Sequence, residues 1–227
     1  MFLKILLELS NGFIVTFLLF TLTLIFSLPL GLLMCFCLMS NFKPLSIIMK
    51  IIVLILRGTP LMLQIFVIFY VPGLMFDFKW PLMNTGWEWF DHNFSTRFIA
   101  ALVAFSINYA AYFAEIYRGG IQSVPKGQYE AGEVLGLTKR QVFFDIILLQ
   151  VIKRIIPPIS NEIITLVKDT SLANVISVTE IMFAANLELK SGYIWPIFAA
   201  GLFYLIFNTV VTIILSKTEK RLMYFEV

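Results

Sequence analysis

Three polar constellations in an otherwise oily chain have residue types and spacing suited to chemistry. Lys168 and Asp169 follow the apolar run 163–167 and precede another one, which puts two charges at membrane depth. Ionisable residues there are costly and mark a polar path or a paired network by default. Sequence neighbours point about 100° apart on a helix, so these two are poorly placed to pair with each other. Either the helix breaks here, with Asp169 capping a new segment, or both side chains face a watery cavity. The break is favoured, with Lys168 reaching a carboxylate elsewhere, Glu115 or Glu162. Half-helix ends at such a break can meet the charged groups of a polar substrate.

The second constellation is Arg57, directly before Gly58, Thr59 and Pro60, where glycine and proline interrupt a helix. An inner-leaflet anchor ranks ahead of substrate contact for this arginine. Asn108, Tyr109 and Tyr112 are the other polar groups at suitable depth, and interhelical hydrogen bonding explains each of them singly. The third is the polar block 127–138, wedged between apolar spans and followed by basic residues. Pro125 suits a first helical turn, good helix formers run from Gln128 to Leu135, and Gly136 supplies a left-handed end. Thr138 with Gln141 forms a capping box that starts a second helix, over about 139–151. Ala131 and Gly132 are small, and Gly132 and Gly136 stand four apart, so one face of the first helix admits another backbone. A docking surface for a soluble partner fits; an amphipathic connector, with Val142, Phe143, Ile146, Ile147 and Leu149 against the bilayer or bundle base, fits the same residues.

The elements that must carry these groups follow from composition. Apolar residues are 59% of 227 and charged residues 14%, with 23 Phe, which excludes an ordinary soluble domain. Long apolar runs recur, with no ten-residue alternation of a barrel, so the class is all-α and polytopic. Five crossings are expected: 13–38, 59–76, 98–117, 155–183 with an interruption, and 194–216. With the N-terminus outside, eleven Lys and Arg flank the spans inside (positions 43, 50, 118, 126, 139, 140, 153, 154, 217, 220 and 221) against four outside (4, 79, 97 and 190). That satisfies the positive-inside rule and makes the C-terminus cytoplasmic. The run 13–39 is too long for a signal-peptide core and reads as the first span. Cys35 and Cys37 lie inside it and read as packing residues. The outer loop 77–97 holds Trp80, Trp87, Trp89, Phe90 and Phe94, as an interfacial aromatic belt does. His92, the single histidine, has Asp91 beside it and no second His or Cys nearby, so no metal site is expected. The match to a glycosylation acceptor at Asn93, Phe94 and Ser95 is short enough to arise by chance. The net charge of +3 calls for no nucleic-acid partner.

These residues resemble the permeases of ABC importers, in the family that takes up polar amino acids such as histidine, glutamine, glutamate, arginine or cystine. The cytoplasmic signature of that family, Glu-Ala-Ala, three residues, Gly, nine residues, Ile, any, Leu, Pro, is approached by Glu130, Ala131, Gly132, Gly136, Ile146, Leu148 and Leu149. Gly132 in place of Ala keeps the small face, and Leu149 in place of Pro straightens or lengthens the second helix. Arg57-Gly58-Thr59-Pro60-Leu61 with Gln64, Glu115-Ile116-Tyr117-Arg118-Gly119-Gly120, Lys168-Asp169-Thr170-Ser171-Leu172, and Gly12 with Thr16 opening the first span are also similar to it.

The resemblance implies a type I importer fold over a single permease domain, 1–227, with a coupling loop at about 120–153. Gln128, Tyr129, Glu130, Ala131, Gly132, Glu133, Leu135 and Gly136 would then enter a cleft of a cytoplasmic ATPase. Arg57, Thr59, Gln64, Asn108, Tyr112, Lys168, Asp169, Thr170 and Ser171 would line the substrate path. The implied partners are an ATPase dimer, a second permease subunit, identical or homologous, an extracytoplasmic binding protein, the amino acid and the lipids of a bacterial cytoplasmic membrane. No cofactor is expected in this chain, because it has no Gly-x4-Gly-Lys-Ser/Thr loop; ATP and Mg would be bound by the ATPase. The competing readings are an ion-coupled secondary transporter or channel, which would call for internal repeats and more buried acids, and a membrane scaffold, which leaves Lys168 and Asp169 unexplained.

Overall fold

The computed structural model describes residues 2–81 and 88–222, and among them every regular element is helical. Helix α1 (Phe2–Leu38) is followed by α2 (Lys43–Gly58), α3 (Leu61–Phe76), the short α4 (Glu88–Asn93) and α5 (Thr96–Gln122). Then come α6 (Lys126–Val134) and α7 (Lys139–Gln141), which runs through a π-helical turn (Val142–Ile147) into α8 (Leu148–Asp169). A 3-10 segment (Thr170–Ile176), α9 (Ile181–Lys190) and α10 (Trp195–Leu222) complete the chain.

Helices α1, α5 and α10 are long and apolar enough to cross a bilayer, with mean hydropathy 2.4, 1.5 and 2.2. The pair α2 and α3, bent by 110° at the break after Gly58, makes a fourth candidate. Helix α8 has the length for a fifth at 22 residues, and carries Glu162, Lys168 and Asp169. The expected crossings at 13–38, 98–117 and 194–216 thus have their counterparts, the one at 59–76 falls within the bent pair, and α8 covers the first part of the one at 155–183 by length.

The central helix is α5. Ala100, Ala101, Ala104, Ala110, Ala111 and Ala114 are all fully buried on it. Small residues let neighbouring backbones approach, which is how helices pack where lipid offers no hydrophobic contrast. Helix α1 uses this surface: a Cβ at Gly31 would lie 2.8 Å from Phe113 Cβ and 3.0 Å from the Ala110 carbonyl. Phe98, Phe105, Tyr109 and Phe113 of the same helix fill the main buried cluster, with Ile65, Leu166 and Val167.

Three boundaries differ from expectation. Helix α1 begins at Phe2 rather than near residue 13, and its 37 residues span about 55 Å, well beyond a ~30 Å hydrocarbon core. Gly12 therefore lies inside the helix instead of opening it, and a Cβ there would sit 2.9 Å from Ile181 Cα, at the start of α9. The second helix of the loop does not stop near residue 151. It continues as α8 to Asp169 with Leu149, Pro157 and Pro158 inside it, the lengthening expected of Leu in place of Pro. The fourth span ends at Asp169, and the interruption occupies the 3-10 segment and a turn with Ser177 at φ 59°.

In the segment after α3, Trp80 donates from Nε1 to the Phe69 carbonyl (3.2 Å), while Trp87 lies outside the described residues. Asn93 is 7% exposed, donates to the Trp89 carbonyl (2.7 Å) and accepts from the Thr179 hydroxyl (2.9 Å). Its amide is committed to packing, so the acceptor match at that position is structural coincidence. Among the described residues, no group of three or more His, Cys, Asp or Glu is placed to hold a metal.

Candidate functional site

The loop between α5 and α8 is built by local rules. Helix α6 starts after Pro125 and ends in a two-bond left-handed cap. Gly136 has φ +74°, its N–H donates to the Glu133 carbonyl (3.0 Å), and the Leu137 N–H donates to the Gly132 carbonyl (3.1 Å). Thr138 then accepts from the Gln141 N–H (3.3 Å) while Gln141 Oε1 accepts from the Thr138 N–H (2.9 Å), the reciprocal capping box.

Long-range bonds fix this turn to the base of the bundle. Arg154 donates from Nη1 to the Ser123 carbonyl and to its hydroxyl (2.9 Å). Gln150 donates to Gln128 Oε1 (3.2 Å), and Tyr129 packs on the buried cluster of Val124, Val142, Ile147 and Val151.

One expectation is corrected. The small face at Gly132 is not free for another protein: Gly132 is buried, and a Cβ there would lie 2.5 Å from Val142 Cγ2. The glycine lets α6 lie on its own chain. What faces outward is Glu130, Ala131, Glu133, Leu135 and Gly136, together with Val134, which is 88% exposed. Leu135 beside it is 75% exposed, so a charged segment ends in an apolar knob. The sequence reading passed over Val134; its signal was a β-branched apolar residue immediately before the helix-ending Leu-Gly pair.

The membrane-depth groups fall into two sets. In the first, the break between α2 and α3 frees backbone carbonyls, and two amides take them up. Gln64 Nε2 donates to the carbonyls of Leu56 (2.7 Å) and Thr59 (3.2 Å) and to Thr59 Oγ1 (2.8 Å). Asn108 Nδ2 donates to the Leu56 carbonyl (3.0 Å) and to Gln64 Oε1 (3.0 Å). Thr59, Gln64 and Asn108 thus hold the elbow together, as interhelical hydrogen bonding requires. The Arg57 guanidinium lies 5.1 Å from the centroid of the Tyr112 ring, a cation–π distance.

The second set closes on Asp169. Tyr109 donates its hydroxyl to Asp169 Oδ2 (2.7 Å), and the Tyr109 and Tyr112 rings are 6.3 Å apart, linking the two sets. The expected helix break is present, but Asp169 makes no capping bond to the segment it precedes, because the tyrosine of α5 takes its carboxylate. The expected pairing of Lys168 is also absent. Lys168 is exposed with no carboxylate within 4 Å among the described residues. Glu115 is held instead by Arg118 (Nη2 to Oε2, 2.5 Å), and half-buried Glu162 sits in the field of Arg57. Thr170 and Ser171 turn their hydroxyls back to the carbonyls of Val167 and Lys168 (2.7 Å each), completing the end of α8. Arg57, Tyr112, Tyr109 and Asp169 are thus linked by successive contacts, with Glu162 in the field of Arg57.

Glu180 escaped the sequence reading altogether. It is fully buried and caps α9, with Oε1 accepting from the Phe183 N–H (2.7 Å) and Oε2 from the Met182 N–H (2.8 Å). Tyr204 of α10 donates its hydroxyl to Oε2 (3.1 Å), and Thr16 of α1 accepts from the Ile181 N–H (3.2 Å). Gly12 and Thr16, similar in sequence to the family's first span, thus serve as the seat of this cap. A carboxylate immediately before a helix-forming run was its only sequence signal.

Comparison with known proteins agrees with this architecture. The model of the family described as binding-protein-dependent transport system inner membrane component matches residues 27–224. The L-cystine transport system permease of Bacillus subtilis (strain 168) is 40% identical over 178 residues, covering 78% of this chain and 69% of the relative. The arginine transport system permease of the same organism is 32% identical and covers 93% and 91%. The crystal structure of an amino acid ABC transporter with histidines superposes with a TM-score of 0.83 at 28% identity, over 97% of this chain and 96% of that one. An inward-facing methionine ABC transporter shares the fold at 15% identity and a TM-score of 0.65. The chain belongs to the binding-protein-dependent transport system inner membrane component family, among the permeases of amino-acid ABC importers.

Proposed function

We propose that this chain is the membrane-spanning subunit of an ATP-driven importer for a polar amino acid, and that segment 126–136 transmits ATPase closure to the bundle. The observation that carries the reading is the exposed knob of Val134 and Leu135 at the end of α6, braced through Arg154, Gln150 and Gly132 onto a helix that runs unbroken to Asp169. A push on the knob is delivered along α8 to the place where that helix ends and Tyr109 meets Asp169. Packed helices transmit displacement because their cores resist compression. Relatives named for cystine, arginine, glutamine and octopine transport support a polar amino acid as the cargo.

In this reading residues 1–227 form one permease domain that pairs with a second permease subunit. A cytoplasmic ATPase dimer holds ATP and Mg, and an extracytoplasmic binding protein delivers the amino acid. The membrane is the bacterial cytoplasmic membrane, with the N-terminus outside and α6 and the C-terminus on the cytoplasmic side, as the flanking positive charges favour. The amino acid's ammonium meets Asp169 and Glu162, and its carboxylate meets Arg57, with Tyr112 between them. Gln64, Thr59 and Asn108 shape the elbow rather than contact cargo.

The test is co-purification of the ATPase with the permease and uptake by reconstituted vesicles. Val134→Asp and Gly136→Trp are expected to abolish both while the melting temperature of the bundle is kept, because one charges the knob and the other forces a bulky residue into φ +74°. ATPase retained at the parental ratio by both variants would refute the docking role.

A further inference from the structure

Helix α2 carries Lys43, Lys50 and Arg57 at intervals of seven residues, so all three lie along one side of it. That side adjoins the buried face formed by Ser46 and Val53 on one flank, whereas the exposed Ile48, Ile52 and Ile55 occupy the opposite side. The three cations are exposed, at the margin between the buried face and solvent. Two of them open onto a cavity of about 340 Å³ between α2 and α5, lined by Lys50, Val53, Leu54, Arg57, Gly58 and Glu115. That volume is in the range of small-molecule sites, about 300–1,000 Å³.

The charges in this groove are not mutually satisfied. Among the described residues neither Lys50 nor Arg57 has a carboxylate within 4 Å. Glu115 receives both of its Arg118 bonds on Oε2 (3.1 Å from Nε, 2.5 Å from Nη2), so Oε1 is not engaged by that arginine. The groove thus offers two cations spaced along α2, an apolar stretch of Val53 and Leu54 between them and a carboxylate oxygen from α5, groups that complement an amino acid zwitterion. It is also continuous with the groups near Asp169. Arg57 lies over Tyr112 at 5.1 Å, Tyr112 is 6.3 Å from Tyr109, and Tyr109 bonds Asp169. Lys50 lies two helical turns from Arg57, about 10 Å further along α2 towards its start.

We infer that the groove between α2 and α5 is a second, inner station for the transported amino acid, where Lys50 and Arg57 take the carboxylate and Glu115 takes the ammonium. This rests on the reading above that the chain conducts an amino acid. Arg57 serves both stations, handing the carboxylate to Lys50 as cargo moves towards the start of α2, and the 110° elbow keeps α2 beside the path.

The complete importer, with ATPase and binding protein, is reconstituted in vesicles and uptake of labelled cystine, arginine and glutamine is measured. With Lys50→Gln the maximal uptake rate should fall about tenfold, as expected for one lost charge-assisted contact, with the half-saturating concentration unchanged because that is set where cargo enters. Lys50→Met should match it, and Lys50→Arg should keep the parental rate. A parental maximal rate for Lys50→Gln and Lys50→Met would overturn the inference while leaving the transport reading in place. Parental importer that takes up none of the amino acids would remove that reading and this inference with it. A loss confined to vesicles containing anionic lipid would make the groove a lipid site and also overturn the inference.

Discussion

Removing the Glu180 carboxylate should be among the most damaging single changes in this bundle. Its two oxygens accept from the Met182 and Phe183 N–H groups at 2.8 and 2.7 Å and from Tyr204 at 3.1 Å, in a site with no exposure. Hydrogen bonds to a charged group contribute about 1.5–3 kcal/mol each, and a buried donor left without a partner costs about 1–3 kcal/mol. Three donors lose their acceptor in Glu180→Ala, and the local helix end relaxes to recover part of the loss. The expected destabilisation is about 3–5 kcal/mol, the scale of breaking a buried polar network. Glu180→Gln keeps one acceptor oxygen but turns an NH2 towards the remaining donors, for about 1.5–3 kcal/mol. Tyr204→Phe removes only the longest bond and should cost about 1 kcal/mol. In the double variant Glu180→Ala with Tyr204→Phe, the orphaned hydroxyl is gone, so the two effects should sum to more than the measured loss. Reversible unfolding in mixed micelles, followed by tryptophan fluorescence, measures all four. A loss below about 1 kcal/mol for Glu180→Ala would refute the argument, because it would mean that water reaches the cap of α9.

Three further outcomes are expected. Lys168→Met should change stability by less than about 1 kcal/mol, since the lysine is exposed with no carboxylate within 4 Å among the described residues, whereas Tyr109→Phe and Asp169→Asn should each lower uptake and show non-additive effects together; a large melting shift for Lys168→Met would restore a buried lysine pair. Gly12→Val should prevent α1 from seating on Ile181, seen as a lower melting temperature with α6 still accessible to the ATPase; unchanged melting would mean that α1 and α9 do not touch. In a cysteine-free background, an impermeant label applied from outside should reach a cysteine at Lys190 and, beyond the described residues, at Asn84, and miss one at Lys126; the reverse pattern would invert the orientation.

What the sequence determined by itself are the features whose cause is local. A run of apolar residues is legible as a span because desolvating the backbone demands a helix wherever the run lies. The left-handed turn at Gly136 and the capping box of Thr138 and Gln141 were legible because each is closed within a few residues, and the break after Asp169 was legible because two charges interrupt an apolar run. The bend at Gly58 to Pro60 was legible from the residue types that disfavour a helix interior. Tertiary structure alone decided the partners. Gly132 and Gly136 look alike in the chain, yet one is buried under Val142 and the other ends the helix at the surface. Lys168 and Asp169 are adjacent, yet only Asp169 finds a partner, 60 residues away on α5, while Glu180 finds Tyr204 and Thr16 binds the Ile181 N–H across most of the chain. The physical reason is that a buried polar atom must be satisfied by whichever group packing brings within hydrogen-bonding distance, and that group is chosen by helix crossings, which sequence spacing does not encode.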